Sequence, residues 1–340
     1  MSEAVSTLKP NFKIELKGFI DPSITKQSAA FFTEILLELS TLTDLTGLEG
    51  VTFAINDEEY LKKLKSFDER LAPSNDEGVG VAMTISSIGG DFSKNYIVLN
   101  CTYLELEHIM VEYAHLTSEE KKSEVINKFA HILFHEMCHV NNNIMLFNKF
   151  NRFSITTEFE NKLQAMKHSI SRVTWDEFAV CAEANQIGLN QTESYEGILF
   201  DVLSKFKKRL EYIYKDYMIR ASTQDNSVYS DLFNNTYLLV YNLFKYAAYY
   251  FGDIFTKDEN EISQKLLKHE FGNYLLRLNN ILSDIDQKLS KDIAQEEDFY
   301  KVGDLAEEFI SYLGLIVYPT EDNGMFVNLS ESTQARILNL

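Results

Sequence analysis

The chain has 340 residues, of which 45% are hydrophobic and 24% are charged. A chain of this length exceeds what one hydrophobic core usually serves, so we expect two lobes. Its 32 Lys and Arg residues stand against 51 Asp and Glu residues, which gives a formal net charge of −19. A field of that sign repels a phosphate backbone, so we expect no nucleic-acid partner.

The cysteine pattern and the hydropathy point to an intracellular setting. Cys101, Cys138 and Cys181 are scattered without a C-x-x-C pair, which predicts neither a disulfide framework nor a thiolate zinc site. No segment resembles the core of a signal peptide, and none reaches the roughly 20 apolar residues that span a bilayer. We therefore expect a cytoplasmic protein with no membrane partner, and the sequence leaves its oligomeric state open.

Short strands and helices are predicted in the first third of the chain. Alternating apolar side chains predict strands at residues 12–16, 51–55, 79–85 and 96–99. Helical periodicity predicts helices at residues 25–39, 57–67 and 102–116. Gly89 and Gly90 predict a hairpin turn between the last two strands. These elements predict a small sheet that supports the segment after it.

The most informative segment is TSEEKKSEVINKFAHILFHEMCHVNNN, residues 117–143. Thr117 and Glu120 have the spacing of a capping box, and apolar residues then recur at helical intervals. The pattern predicts a buried helix. Its end is predicted at Asn141–Asn143, because asparagine tolerates the left-handed backbone of a helix end.

This helix carries an H-E-x-x-H motif in the letters HEMCH. His135 and His139 are four residues apart and therefore share one helix face. Two imidazoles so placed can bind one Zn²⁺ ion, with Glu136 beside them as the general base. The alternative is a core helix with hydrogen-bonded histidines, which would bury two imidazoles and a carboxylate at considerable cost.

Long helical patterns predominate after the motif. They predict an amphipathic helix through Leu203 and Tyr217, a buried helix over residues 236–251, and further helices near residues 259–289 and 302–313. The tail predicts at most one short strand, at residues 325–328. The predicted fold is α+β, with an α+β lobe over residues 1–150 that carries the motif helix. A mainly helical lobe over residues 151–340 follows and is expected to supply the third zinc ligand.

A third zinc ligand is needed, because a catalytic zinc site usually takes three protein ligands and leaves one position for water. The best candidates lie in TWDEFAVCAEANQIG, residues 174–188, which contains Glu177 and Glu183. On a helix these two side chains project about 120° apart, so only one can point at the metal. The other is expected to orient a ligand histidine through its second ring nitrogen.

HEMCH followed by a helical carboxylate resembles the zincin metallopeptidases, specifically the gluzincin arrangement of two histidines and a downstream glutamate. WDEFAV resembles the setting of the third ligand in several members, which favours Glu177. AEANQIG has a weaker similarity to the E-A-N segment of phage-repressor-cleaving and related bacterial peptidases, which leaves Glu183 open. The resemblance covers about residues 50–190 and implies a zincin-like lobe whose edge strand binds a peptide. The chain lacks the N-E-x-x-x-D of thermolysin-like enzymes, so no subfamily is implied.

The sequence therefore predicts a zinc-dependent metallopeptidase that acts on a peptide or protein substrate. His135, His139 and Glu177 are the expected metal ligands, and Glu136 is the expected base. The alternative is a catalytically silent metalloprotease-like scaffold or regulator that binds a protein partner. His131 is expected to be packed or to contact a ligand without binding the metal, because ligands at i, i+4 and i+8 span about 12 Å of helix. His168 is expected on the surface or in a loop, and the alternative is that it enters the site from the helical lobe.

Overall fold

A computed structural model describes residues 6–73, 80–86, 93–104, 119–150, 158–187, 189–222, 227–257, 262–321 and 324–338. The chain forms two compact units. The first comprises Met1–Ile155 and Glu183–Leu189, and the second comprises Thr156–Ala182 and Asn190–Leu340. The predicted α+β class is confirmed, since the first unit contains a small mixed sheet and the second is mainly helical.

The sheet of the first unit has four strands in the described residues. They are β1 (Lys13–Lys17), β2 (Leu48–Ala54), β3 (Ala82–Ile85) and β4 (Asn95–Asn100). The spatial order is β1-β2-β4-β3, in which β1, β2 and β4 are parallel and β3 is antiparallel to β4. Strand β3 therefore lies at one edge of the sheet. The predicted hairpin turn at Gly89 and Gly90 lies outside the described residues.

Aromatic side chains join the sheet to its helices. Helix α1 spans Pro22–Leu39 and is capped at its N-terminus by Asp21. The carboxylate of Asp21 accepts a hydrogen bond from the backbone N–H of Ser23 at 2.7 Å. The ring of Phe32 on α1 stacks on that of Phe53 on β2, with 3.8 Å between their centroids. Helix α2 (Asp57–Phe67) follows β2 and is capped at its N-terminus by Asn56. Both helices occur where the sequence predicts them.

The motif helix, α3, runs past its predicted end. It spans Glu119–Lys149, so Asn141–Asn143 lie inside the helix. The side-chain amide of Asn143 is buried and donates to Oδ1 of Asn95 at 3.1 Å, so it satisfies a buried polar partner on β4. Ile144 continues the buried apolar face. The predicted capping residue Thr117 and most of the predicted helix at 102–116 lie outside the described residues.

Six α-helices precede the tail in the described part of the second unit. They are α4 (Lys162–Ala184), α5 (Thr192–Ala221), α6 (Ser227–Phe255), α7 (Gln264–Leu267), α8 (Gly272–Ser290) and α9 (Glu296–Tyr312). Helix α5 packs along α6, and α6 contains the segment 236–251 that the sequence predicts to be buried. Among the described helices, none is long and apolar enough to cross a membrane.

The tail contains more structure than the sequence predicts. Gly314 has a φ of 98°, a backbone conformation that glycine adopts easily, and it turns the chain out of α9. Strands β5 (Leu315–Pro319) and β6 (Met325–Leu329) then form an antiparallel pair, followed by helix α10 (Glu331–Leu338). The prediction of at most one strand was wrong, because β5 places buried and exposed apolar residues side by side and shows no polar alternation.

Candidate metal centre

His135, Glu136 and His139 come together on α3. One potential ligand atom from each of the three residues lies within 4.8 Å of the other two. The two imidazole rings are 4.9 Å apart at their centroids and are inclined at 81°. The histidines are half-buried, whereas Glu136 is buried. In the described part of the first unit, no other group of histidine, cysteine and acidic side chains comes together in this way.

The residues between and around the motif hold the helix in place. Phe134, Met137, Cys138 and Val140 are fully buried. They occupy the faces of α3 away from the two histidines, so the helix cannot rotate without exposing them. The apolar pattern of the sequence thus determines which face of α3 presents the imidazoles.

The edge strand supplies a partner for Glu136. The hydroxyl oxygen of Thr84 on β3 lies 2.7 Å from Oε2 of Glu136 and 2.9 Å from the backbone oxygen of the same residue. A threonine hydroxyl has one hydrogen, so it donates to one of these acceptors at a time. The sequence predicts a strand here, but no local pattern identifies Thr84 as the residue that meets the motif.

The charge of Glu136 also affects the pKa of Tyr60 on α2. Its ring is fully buried in a cluster with Leu64, Ile85 and Val98. Burial raises the pKa of its phenol, and the charge of Glu136 raises it further. Among the described residues, the Tyr60 hydroxyl has no hydrogen-bond partner. Thr84, and not Tyr60, provides the hydroxyl that is bonded to Glu136.

Glu183, the alternative third ligand, belongs to the first unit and contacts the motif helix. Burial raises the pKa of its carboxyl group, and hydrogen bonds to Cys138 and Asn141 partly offset this by lowering it. Its carboxylate is not a member of the group formed by His135, Glu136 and His139. These contacts attach the end of α4 to the side of α3.

Glu177, the predicted third ligand, lies on α4 in the second unit and is 7% exposed. Its Oε1 accepts a hydrogen bond from the Tyr249 hydroxyl at 3.0 Å and lies 3.3 Å from Nζ of Lys245. Burial is the largest influence on the pKa of Lys245 and lowers it, but the charge and hydrogen bond of Glu177, together with Tyr241 and Tyr246, outweigh burial, so the net pKa is raised. Tyr249 and Lys245, these two partners of the Glu177 carboxylate, both lie on α6. The assignment of Glu177 as a zinc ligand stays a prediction.

Comparisons with protein-family models, curated proteins and solved structures found no match to this chain.

The donor set fits zinc. Imidazole nitrogen is a preferred zinc ligand, and the two histidines are one helical turn apart with a carboxylate in the same group. His135 and His139 would hold the ion. Glu136 follows His135 in the chain and has its Oε2 2.7 Å from the Thr84 hydroxyl.

Two other histidines were considered from the sequence. His131 is 4% exposed, as expected for a packed residue. The expectation that His168 lies on the surface or in a loop was wrong, since it is 7% exposed and lies within α4. Its ring neighbours are Phe159, with a centroid distance of 5.1 Å, and Tyr300, with a centroid distance of 5.9 Å. Tyr300 is 132 positions away in sequence, so local sequence does not reveal this contact.

Proposed function

We propose that the chain is a zinc-dependent metallopeptidase that hydrolyses peptide bonds with Glu136 as the general base. The observation that carries the proposal is the convergence of His135, Glu136 and His139 within 4.8 Å on one helix. Two imidazoles supply the metal-binding donors, and the carboxylate between them in sequence supplies the proton acceptor. A scaffold that only bound metal would have no chemical need of that base.

In this proposal the metal ion and Glu136 have separate chemical roles. Zinc, when bound, would supply a Lewis acid that polarises the scissile carbonyl and lowers the pKa of a water molecule. Glu136 accepts the proton of that water as it attacks, and then delivers the proton to the leaving amine.

The edge position of β3 supports a peptide as the substrate. Within the described residues β3 pairs only with β4, and no described strand pairs with its other side. An extended peptide can add to such an edge as one more strand. Thr84 on this strand contacts Glu136, so a peptide paired with β3 would lie beside the base.

Replacement of Glu136 by glutamine tests the proposal. We expect Glu136→Gln to keep its zinc and to lose hydrolysis by about 10²- to 10⁴-fold, because glutamine preserves the shape but cannot accept the proton. Metal content is measured by elemental analysis, and hydrolysis is measured with a quenched fluorescent peptide library.

The matched control is Glu124→Gln. Glu124 lies on the same helix, and its side chain is 70% exposed, so this variant should keep both zinc and activity. Full turnover by Glu136→Gln would remove Glu136 from the role of base. A wild-type chain that binds zinc and cleaves no peptide would instead favour the scaffold or regulator.

A further inference from the structure

Thr84 joins the edge strand to the proposed base through two acceptors. Its hydroxyl lies within hydrogen-bond distance of both the carboxylate and the backbone oxygen of Glu136. The contact links residues that are 52 positions apart in sequence. It is the side-chain contact between β3 and the motif that most directly involves a reacting group.

The position of Thr84 is set by the sheet. Thr84 pairs with the fully buried Ile97 of β4, which fixes its place along the strand. Its neighbours Met83 and Ile85, which point to the opposite face, pack in the cluster around Tyr60. The backbone at Thr84 is therefore fixed by strand pairing and by the packing of its two neighbours, and this fixes the position of the Thr84 hydroxyl.

A glutamate base benefits from such a restraint. Its carboxylate is carried by three rotatable bonds, and a base contributes fully only when its oxygen lies within hydrogen-bond reach of the proton it accepts. A hydrogen bond to an ionised carboxylate is stronger than one between neutral groups. With Oε2 bonded to Thr84, the other oxygen, Oε1, is left to accept the proton.

We propose that Thr84 is a positioning residue that holds the Glu136 carboxylate in its proton-accepting orientation. The inference rests on the proposed function and extends it to the edge strand. A peptide that pairs with β3 would steady the strand that carries Thr84. Substrate binding and orientation of the base are thereby coupled through one side chain.

The first test separates the hydroxyl from the shape of the side chain. Thr84→Val keeps the branched shape and removes the hydroxyl, whereas Thr84→Ser keeps the hydroxyl. We expect Thr84→Val to lower kcat by about tenfold or more, with zinc content and KM close to wild type, because a misplaced base affects the chemical step. Thr84→Ser should recover most of kcat.

The matched control is Thr52→Val on β2. The hydroxyl of Thr52 is 3.1 Å from a carboxylate oxygen of Glu15, so this variant removes an equivalent bond elsewhere in the same sheet. It should leave kcat unchanged.

The second test uses the metal-free protein and needs no activity. Thr84→Val should lower the melting temperature in the wild-type background and should have a smaller effect in a Glu136→Ala background, because the carboxylate is then absent and only the backbone oxygen at position 136 remains as an acceptor. If Thr84 serves only the packing of β3, the two backgrounds will show equal shifts.

The outcomes separate the two proposals. If the wild-type chain is active and Thr84→Val matches Thr84→Ser in kcat, the positioning role is overturned while the peptidase function stands. Equal losses of kcat and stability in both variants would also overturn it, because they indicate a structural role. A wild-type chain that takes up zinc but hydrolyses no peptide overturns both.

Discussion

Among the described residues, His168 has a pKa well below that of an ordinary histidine. Its imidazole is buried in α4, with Nδ1 at 3.4 Å from the hydroxyl of Tyr300. Burial, and to a lesser extent the charge of Arg172, lower its pKa to about 4. In the unfolded chain the same group has its ordinary pKa near 6.5. Between these two values the unfolded chain binds a proton that the folded chain does not.

The stability of the fold should therefore depend on pH through His168. The neutral ring contributes fully above about pH 6.5, and this contribution is lost as the pH falls from about 6.5 to about 4. We expect the loss to be of the order of 3 kcal/mol in the wild type and to be absent in His168→Gln. Urea unfolding at several pH values measures it. If both proteins lose equal stability over this range, the burial of His168 has no such effect.

The third zinc ligand can be tested by comparing two carboxylates. We expect Glu177→Ala to weaken zinc binding more than Glu183→Ala does, because loss of a ligand costs more than loss of hydrogen bonds to Cys138 and Asn141. Competition with a chelator measures the zinc affinity. The reverse order would assign the ligand role to Glu183.

The sequence identified part of the site and missed the rest for a physical reason. His135, Glu136 and His139 lie within one helical turn, so helix geometry alone predicts their convergence. Thr84 is 52 positions from Glu136, and only the folded sheet brings the two together. The contacts of Tyr60 and the burial of His168 depend on tertiary packing in the same way.

At the scale of elements, α4 and α6 approach closely at Gly252. A β-carbon at this position would lie 2.2 Å from the backbone oxygen of Phe178 and 2.9 Å from Cβ of Cys181. Neither atom belongs to a flexible side-chain end. We therefore expect Gly252→Ala to force the two helices apart and to lower the free energy of unfolding by about 1–3 kcal/mol.

Gly197 on α5 provides the matched control for this prediction. No atom lies within 4 Å of a β-carbon built at Gly197. Gly197→Ala should raise the free energy of unfolding by up to about 1 kcal/mol, because alanine favours the helix. Urea unfolding of both variants is the measurement. A Gly252→Ala protein as stable as wild type would show that the helices can separate without cost.

Element boundaries were harder to predict than element types. The apolar period predicts α3, but not that its end lies at Lys149, since the asparagines that suggest an end are used inside the helix. Asn143 is kept in the helix by its partner Asn95 on β4. Strand β5 was missed because its pairing with β6, rather than its own pattern, defines it.

For the whole molecule, the sequence predicts the class of fold but not its connectivity. The change from short alternating segments to long helical ones predicts the α+β class that the structure has. The order β1-β2-β4-β3 does not follow from those segments, because several orders satisfy the same apolar pattern. This order matters for function, since it places β3 and Thr84 at the edge.

The proposed function requires that His135 and His139 hold one metal ion between them. The most direct measurement is elemental analysis of the full-length protein, first stripped with a chelator and then reconstituted with zinc and desalted. We expect about one zinc per chain, as for a site of this type. The zinc should be lost in His139→Ala and kept in His269→Ala, since His269 lies outside the motif. No zinc in the reconstituted wild type, or equal zinc in both variants, would show that His135 and His139 do not hold the ion.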